Sequence, residues 1–547
     1  MPFSNAFDKL PAMQTVTRSP SRQRGRLTTF IASLNAAQIA ELATPIGSGL
    51  LLILSFPDYN LWPLAWIALA PLLVFIARRP SPRRSFLRGW LFGSVFFYGS
   101  CYWLTFSMIH YGGIPGGIAY LLLIPGALIV GLFPGLFGFV LAIAVRLFRN
   151  KGVLLAPFIW VACEWARLGV TGQLWNALGY SQAYEPLLIQ PARWGGVYAV
   201  SFLIVTINAA VAFVGLNRCW RAGLVSATLV VLIIALMLSS DGRGEDSLRS
   251  NDTTQVIALQ PNVPMTLVKT PEELRDLTAR HVRMTEEALS HLPNTGGRRL
   301  VVWPESPMNF TYANDSLFRE LVDRFTREHH VSLLLNSQEP APNNGIYNSA
   351  ILINEEGRLV GQYDKIRLLP FGEYVPLPRW LPGATLITGI VGDFEPGANY
   401  TLFPIGEEKV GVFICIESAY PSIARSFAAA DADVLINISN DGYLGRTGVI
   451  KQHLANAVFR AVENGRPILR VTNTGITARI TPQGEVQEAT NVFEPAVRTW
   501  TIGRSEQGQT FYTRHGDVLA FVSTLVTALV FVAWLLRRGK KIDLEKA

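Results

Sequence analysis

Eight separate apolar runs, each of a length to cross a bilayer, constrain this chain more than any other feature. They fall near 41–57, 61–77, 87–107, 118–145, 153–169, 197–216, 221–239 and 517–536. A spanning helix takes about 20 apolar residues, with a range of roughly 17 to 25. The run beginning at Ile118 is long, and Pro125 and Pro134 interrupt it. It reads as one tilted or kinked pass, with two shorter passes as the alternative. Charged residues make up 16% of the chain, against about 25% in an ordinary soluble protein. The shortage is local: 45–239 is almost bare of Asp and Glu, whereas 240–515 has the composition of a soluble domain. The expected organisation is a basic arm (1–40), a membrane domain of about seven spans (41–239), a globular domain (240–515), a last span (516–537) and a short tail (538–547).

Lys and Arg in the short loops set the orientation, because they are retained on the cytoplasmic side. Arg18, Arg22, Arg24 and Arg26 precede the first run; "RRPSPRRSFLR", "RLFRNK", "NRCWR" and "RRGKK" follow the second, fourth, sixth and eighth. Intervening loops such as "PDYN" and "SMIHYGGIPGG" carry neither residue. Both termini are therefore expected in the cytoplasm and the 240–515 domain outside. The N-terminal forty residues lack a short apolar core followed by a small-residue cleavage site, so no cleaved signal peptide is expected. The net charge of +8 is accounted for by loops facing anionic lipid and requires no nucleic-acid partner.

The outer domain alternates short apolar runs with helical stretches. "TTQVIALQPN", "RRLVVWPES", "VSLLLNSQ", "KVGVFICIES", "DADVLINISND" and "RPILRVTNTG" read as strands. "TPEELRDLTARHVRMTEEALSHL" and "IKQHLANAVFRAVENG" read as helices, and "NSAILINEEGRLVGQYDK" and "ITARITPQGEVQEA" as hairpins. The class is a mixed α/β sandwich with its chemistry at strand ends. Of the four cysteines, Cys101, Cys163 and Cys219 lie in or beside the apolar runs, which leaves Cys415 as the one thiol of the outer domain. Structural cysteines in an oxidising exterior come in pairs. An unpaired one is either buried filler or a nucleophile.

Glu305 ends a strand, Lys365 follows a hairpin and Cys415 ends another strand. Singly, each has an ordinary reading as a solvated or packed residue. Together they supply what acyl transfer through a thioester needs. Glu305 takes the thiol proton and returns it to a leaving group. Lys365 and the backbone N–H of Ile416 steady the thiolate and then the oxyanion.

The segments "WPES", "YDKIRLLPFGEYVP" and "FICIES" resemble the Glu–Lys–Cys triad motifs of the nitrilase, or carbon–nitrogen hydrolase, superfamily. With spans on both sides, and with "CEWAR", "GYSQ", "ISNDGYLG" and "GRPILRVTNTGITA", the chain resembles one branch of it, the apolipoprotein N-acyltransferases, over about residues 45–537. The resemblance implies a nitrilase-like αββα sandwich in the periplasm, carried by a multi-pass protein of a bacterial inner membrane. It implies that Cys415 takes an acyl chain from a phospholipid, phosphatidylethanolamine being the expected donor. The chain then passes from the thioester to the α-amino group of the S-diacylglyceryl-cysteine that begins an apolipoprotein. Glu373 matches the family's additional essential glutamate and Glu417 a supporting carboxylate. Tyr374, Tyr443 and Trp303 are the expected substrate contacts. No metal or other cofactor is implied, since the ester already carries an activated acyl group.

Three positions depart from the family pattern: Ile416 stands where Tyr is common, Lys269 where a Trp is expected, and Tyr443 where Trp follows "ISND". They bear on how lipid and lipoprotein are held. The Gly-punctuated "RWLPGATLITGIVGDF" (379–394) is a lid or membrane-dipping candidate, or an ordinary surface loop. Glu164 and Arg167 share a helix face near the outer end of a span and are expected to anchor "GQLWNALGYSQ". The seven His residues show no metal-ligand spacing; His329 and His330 end a charged helix, and His453 reads as helix surface or packing. No P-loop, dinucleotide fingerprint or repeat is present. Competing readings are a membrane-tethered amidase or an acyltransferase with another acceptor, and a silent lipoprotein-binding protein.

Overall fold

A computed structural model describes residues 36–218, 248–265, 270–293, 297–305, 310–342, 345–370, 372–375, 394–505 and 508–546. The seventh apolar run, Cys219, Lys269, the basic arm up to residue 35, and all of 379–394 except Phe394 lie outside the described residues. Two compact units are present, Met1–Thr44 and Pro45–Ala547. The candidate site lies wholly in the second.

The membrane part comprises α1 (Ala36–Ser55), α2 (Ala70–Arg78), α3 (Pro82–Ser100), α4 (Leu104–His110), α5 (Gly116–Phe148), α6 (Ala156–Thr171) and α7 (Val197–Asn217). By length and composition, three described stretches are able to cross a membrane: Gly116–Thr171, Val197–Asn217 and Val518–Gly539; Ile39–Ser55 and Trp62–Arg78 are shorter apolar helices. The Pro-interrupted run is one continuous helix, α5, of 33 residues. At about 1.5 Å per residue it is about 50 Å long, well beyond a hydrocarbon core of about 30 Å. Small residues seat α3 against it. A Cβ on Gly89 would meet the Pro134 carbonyl oxygen at 2.1 Å, and one on Gly138 would meet the Ser85 carbonyl oxygen at 2.3 Å. This is the close backbone approach that glycine permits between membrane helices.

Two apolar runs are broken. The run 87–107 ends as α3 at Ser100, turns over 101–103 and resumes as α4. The run 61–77 is a 3₁₀ turn (Trp62–Leu64), a short helix (Ala65–Ala68) and α2. Buried Asn208 of α7 plugs that second break. Its Oδ1 accepts from the N–H groups of Leu69 and Ala70, both at 2.9 Å, and its Nδ2 donates to the Ala65 carbonyl at 2.9 Å. Backbone groups freed from a helical ladder must be satisfied inside a membrane, and one amide side chain serves three of them.

The globular part has two six-stranded sheets. The first has the order β12-β1-β2-β3-β4-β5 and the second β11-β10-β9-β8-β7-β6. Their strands are β1 (Leu248–Gln260), β2 (Arg298–Val302), β3 (Ser332–Pro340), β4 (Ile346–Ile353), β5 (Leu359–Asp364), β6 (Leu402–Ile405), β7 (Glu408–Ile414), β8 (Val434–Ser439), β9 (Ile468–Thr472), β10 (Ala478–Ile480), β11 (Val486–Gln487) and β12 (Ala496–Ser505). The strands at the centre of each sheet, β1-β2-β3 and β7-β8-β9, are parallel.

Side-chain alternation along the strands defines the layers. Ile257, Leu259, Val301, Leu333 and Leu335 share a core with Leu277 of α8 (Pro271–His291) and with Phe318, Val322 and Phe325 of α9 (Ser316–His329). Their neighbours Val256, Ala258, Leu300, Val302 and Leu334 turn the other way and join Val410, Val412 and Leu435 of the second sheet. Behind that sheet lie α10 (Pro421–Ala429) and α11 (Val449–Asn464). The result is an α-β-β-α sandwich, and α12 (Val518–Lys546) follows it.

Helix α11 is the joint between the two parts. All its residues except Lys451 are buried, which places it between the second sheet and the membrane helices rather than at a surface. Gln452 accepts through Oε1 from the indole N–H groups of Trp103 (3.1 Å) and Trp175 (2.9 Å), and donates to the Ser100 carbonyl (3.0 Å). Glu463 accepts from the Val197 N–H at 2.9 Å and from Arg460 at 2.7 Å, and Arg460 also donates to the Tyr180 hydroxyl.

Candidate active site

The carboxyl ends of the parallel strands meet between the sheets, where open α/β sheets bind ligands. Glu305 lies three residues beyond β2, Lys365 immediately after β5, and Cys415 immediately after β7.

Cys415 opens a 3₁₀ turn, Cys415–Ala419, with φ of 51°. A non-glycine residue in this left-handed region costs roughly 1–3 kcal/mol and persists only where its surroundings hold it. Two groups do so. Glu417 reaches back to accept from the Ile414 N–H at 2.8 Å. Its other oxygen accepts from the N–H groups of Ile366 (2.8 Å) and Arg367 (3.0 Å), and Tyr363 donates its hydroxyl to both oxygens. One carboxylate thereby ties the Cys415 turn to the Lys365 loop. Burial pushes the Glu417 carboxyl up to about 7, against the opposing pull of these donors. From the far side, His453 Nε2 lies 2.9 Å from the Cys415 carbonyl oxygen.

Lys365 is 1% exposed. Its ammonium lies 2.8 Å from Glu373 Oε1 and 3.4 Å from Glu305 Oε1. Burial alone would lower its pKa, but the two carboxylates outweigh that and hold it well above the ordinary lysine value. Asn348 Nδ2 donates to both carboxylates, at 3.1 Å to Glu305 and 2.6 Å to Glu373. The second oxygen of Glu305 accepts from the Asn440 N–H at 3.0 Å, and that of Glu373 from the Leu369 N–H at 2.6 Å. Both carboxylates are thus oriented by fixed donors. Burial raises the Cys415 thiol above the ordinary range, Glu305 adds to the rise, and Lys365 opposes it. Burial and the Glu305 charge thus both favour the protonated sulfur.

The substrate contacts expected from the sequence are distributed unevenly. Tyr374 is 37% exposed, at the end of the Glu373 loop. Tyr443 stacks on Tyr111 at 5.1 Å with rings 4° from parallel, and its carbonyl accepts from Ser107, so it faces α4 of the membrane part. Trp303 is a correction. It is 1% exposed, packs against the His281 ring at 5.0 Å and donates to Thr285, so it belongs to the core under α8. Glu164 and Arg167 hold the loop as expected: Glu164 accepts from the Leu178 N–H at 2.7 Å, and Arg167 donates to the Trp175 carbonyl.

Sequence reasoning missed Asn348 and a chain of buried charges behind Cys415. Asp441 Oδ1 lies 2.7 Å from His453 Nδ1, and Arg470 donates to Asp441 Oδ2 at 2.9 Å. His453 is therefore neither on a helix surface nor simple packing. A usable signal was the polar pair Gln452–His453 in a helix otherwise rich in Ala and Val. Among the described residues, no group of His, Cys, Asp and Glu is arranged to hold a metal ion.

Residues 48–210 match the apolipoprotein N-acyltransferase N-terminal domain, and residues 257–511 match the carbon-nitrogen hydrolase domain. The chain is similar to the apolipoprotein N-acyltransferase of Geobacter metallireducens, 33% identical over 499 residues, covering 88% of this chain and 94% of that one. It is 32% identical to that of Azotobacter vinelandii, over 86% of this chain and 90% of the relative. Among solved structures, a mutant of the amidase from Nesterenkonia sp. AN1 aligns with 48% of this chain and 98% of its own, at 16% identity and a TM-score of 0.35.

Proposed function

This chain belongs to the apolipoprotein N-acyltransferase family, and from that premise we propose how its residues transfer an acyl chain from a phospholipid to the amino terminus of an apolipoprotein. The observation that carries the reading is the turn at Cys415, whose thiol lies within electrostatic reach of the ion-paired Glu305, Lys365 and Glu373.

Glu305 removes the thiol proton as the sulfur attacks the ester carbonyl. Charge then develops on the carbonyl oxygen. Two of the three N–H bonds of Lys365 are engaged by Glu305 and Glu373, so the third is left for that oxyanion, with the Ile416 N–H as its partner. Collapse breaks the ester C–O bond. The proton on Glu305 passes to the departing alkoxide, leaving a thioester on Cys415 and a lysophospholipid. In the second half the acceptor's α-amino nitrogen attacks the thioester carbonyl and loses a proton to Glu305. The C–S bond breaks, an amide forms, and the proton returns to sulfur.

Phosphatidylethanolamine is the proposed donor and S-diacylglyceryl-cysteine the proposed acceptor. Both are lipids whose reactive ends lie at the headgroup level. A sandwich fixed to the helices through α11 faces them without having to diffuse to the membrane. The proposed topology is eight passes of a bacterial inner membrane, with the sandwich in the periplasm and both termini in the cytoplasm, on the strength of the alternating basic loops.

The test incubates purified protein with phosphatidylethanolamine and no acceptor, then seeks a hydroxylamine-sensitive acyl adduct on Cys415 by intact and peptide mass spectrometry. A Cys415→Ala protein is the control. The adduct should form, and should discharge to a diacylglyceryl-cysteinyl peptide. Failure to form with several phospholipids would overturn the donor and nucleophile assignments.

A further inference from the structure

We propose that His453 is a positioning residue that sets the orientation of the Cys415–Ile416 peptide and so aims the oxyanion-binding N–H of Ile416. The inference rests on Cys415 being the nucleophile and goes beyond the triad.

A carbonyl oxygen only accepts hydrogen bonds, so His453 Nε2, 2.9 Å from the Cys415 carbonyl, donates to it. The peptide is planar and trans, as are all the described peptides of the chain. Its N–H therefore points opposite to its C=O. Pinning the Cys415 carbonyl toward α11 fixes the Ile416 N–H toward the opposite side, where the acyl carbonyl of a bound ester must lie. This restraint matters at Cys415 in particular. With φ of Cys415 held at 51°, the following peptide can still turn about ψ of Cys415 and φ of Ile416, and the bond from His453 opposes that rotation, which would turn the N–H away.

The histidine itself is fixed from behind. Nδ1 lies 2.7 Å from Asp441 Oδ1, Arg470 donates to Asp441 Oδ2 at 2.9 Å, and the imidazole packs at 5.7 Å from the Trp175 ring of the membrane part. Arg470 also donates to Asn437, whose Nδ2 donates to the Phe413 carbonyl in the strand leading to the nucleophile. Asn440, next to Asp441, donates its N–H to Glu305 at 3.0 Å. One buried network thus registers the oxyanion donor against the base.

The test compares two reactions of the same sulfur. Acylation by a phospholipid or a p-nitrophenyl ester builds an oxyanion; alkylation by iodoacetamide does not. His453→Gln places an amide N–H where Nε2 was, whereas His453→Asn reproduces Nδ1 and cannot reach the carbonyl. The Asn variant should acylate roughly 10- to 100-fold more slowly, short of the ~10²–10³ lost when an oxyanion donor is deleted outright. Its alkylation rate should stay within about twofold of wild type, and the Gln variant should recover most of the acylation. Should the Asn variant not fold, Asp441→Asn carries the same comparison, because it loosens the imidazole without removing it. Equal acylation by wild type and variant, or parallel loss of acylation and alkylation, overturns the proposal. A wild-type protein that alkylates but never acylates points instead to failure of the nucleophile assignment.

Discussion

Lys365 stands closer to Glu373, at 2.8 Å, than to Glu305, at 3.4 Å. The shorter contact belongs to the carboxylate that does not move a proton in the proposed chemistry. Glu373 therefore carries the work of holding the ammonium, and Glu305 stays free to change protonation state without releasing it. Glu373→Gln should lower kcat for thioester formation roughly 10- to 100-fold, a loss typical of a displaced catalytic group. KM for the ester should change little, which steady-state kinetics over a donor concentration series will show.

The raised thiol of Cys415 gives a second expectation. With burial and Glu305 both favouring the neutral sulfur, alkylation by iodoacetamide should be slow at neutral pH. It should keep accelerating beyond pH ~9, where an ordinary thiol of pKa about 8.5 levels off. Lys365→Met removes the one charge that opposes the rise and should depress alkylation further across that range. A plateau near pH 8 in the wild-type profile would falsify the assignment.

Glu417 supplies a linkage prediction. Its carboxyl is raised to about 7 from the ordinary 4.5, so its contribution to stability is complete below pH 4.5 and is lost as pH climbs to 7. By full linkage this amounts to roughly 3 kcal/mol. Glu417→Gln has no such proton. The variant starts lower by a pH-independent amount, because an amide NH₂ faces buried N–H donors. Between pH 5 and 8 the wild-type Tm should fall relative to the variant's, as differential scanning fluorimetry in detergent can follow.

Gln452 is the acceptor for two buried indoles, Trp103 and Trp175. Gln452→Leu leaves the Trp175 N–H without a partner at the joint between sandwich and helices, while Trp103 keeps its bond to the Ser100 carbonyl at 3.0 Å. The orphan costs about 1–3 kcal/mol. Thermal unfolding should shift down by several degrees, and limited proteolysis should cut first in the loops around α11 while the membrane helices remain intact.

Most of the architecture was legible because its signals are local. Bilayer-length apolar runs, strand-length apolar segments ending in polar residues and Gly-turn hairpins need no tertiary knowledge, and β1 to β5 and β7 to β9 lie where those signals put them. β6 and β12 escaped because "LFPI" is short and "AVRTWTIGRS" alternates with charged residues at a sheet edge. Glu305, Lys365 and Cys415 were legible through motif order. Trp303 was misjudged because its burial comes from His281 and Thr285 of α8, contacts that its nearness to Glu305 in sequence does not reveal. His453 and Gln452 left only the faint signal of a polar pair in an Ala- and Val-rich helix. Their partners, Asp441, Cys415, Trp103 and Trp175, come from distant segments, and only the docking of two parts of the chain brings them together.

That docking decides how far the enzyme can be taken apart. In a free-standing sandwich an outer helix keeps one wet face, and the domain can be cut out, secreted or traded between proteins. Helix α11 has no wet face beyond Lys451. A gene encoding residues 248–515 alone would make a protein whose outer layer is an interior, prone to aggregate before it met a lipid. Modularity has been given up here. The hydrolase layer depends on the bundle for its outer wall, and a lesion on either side of α11 loosens it.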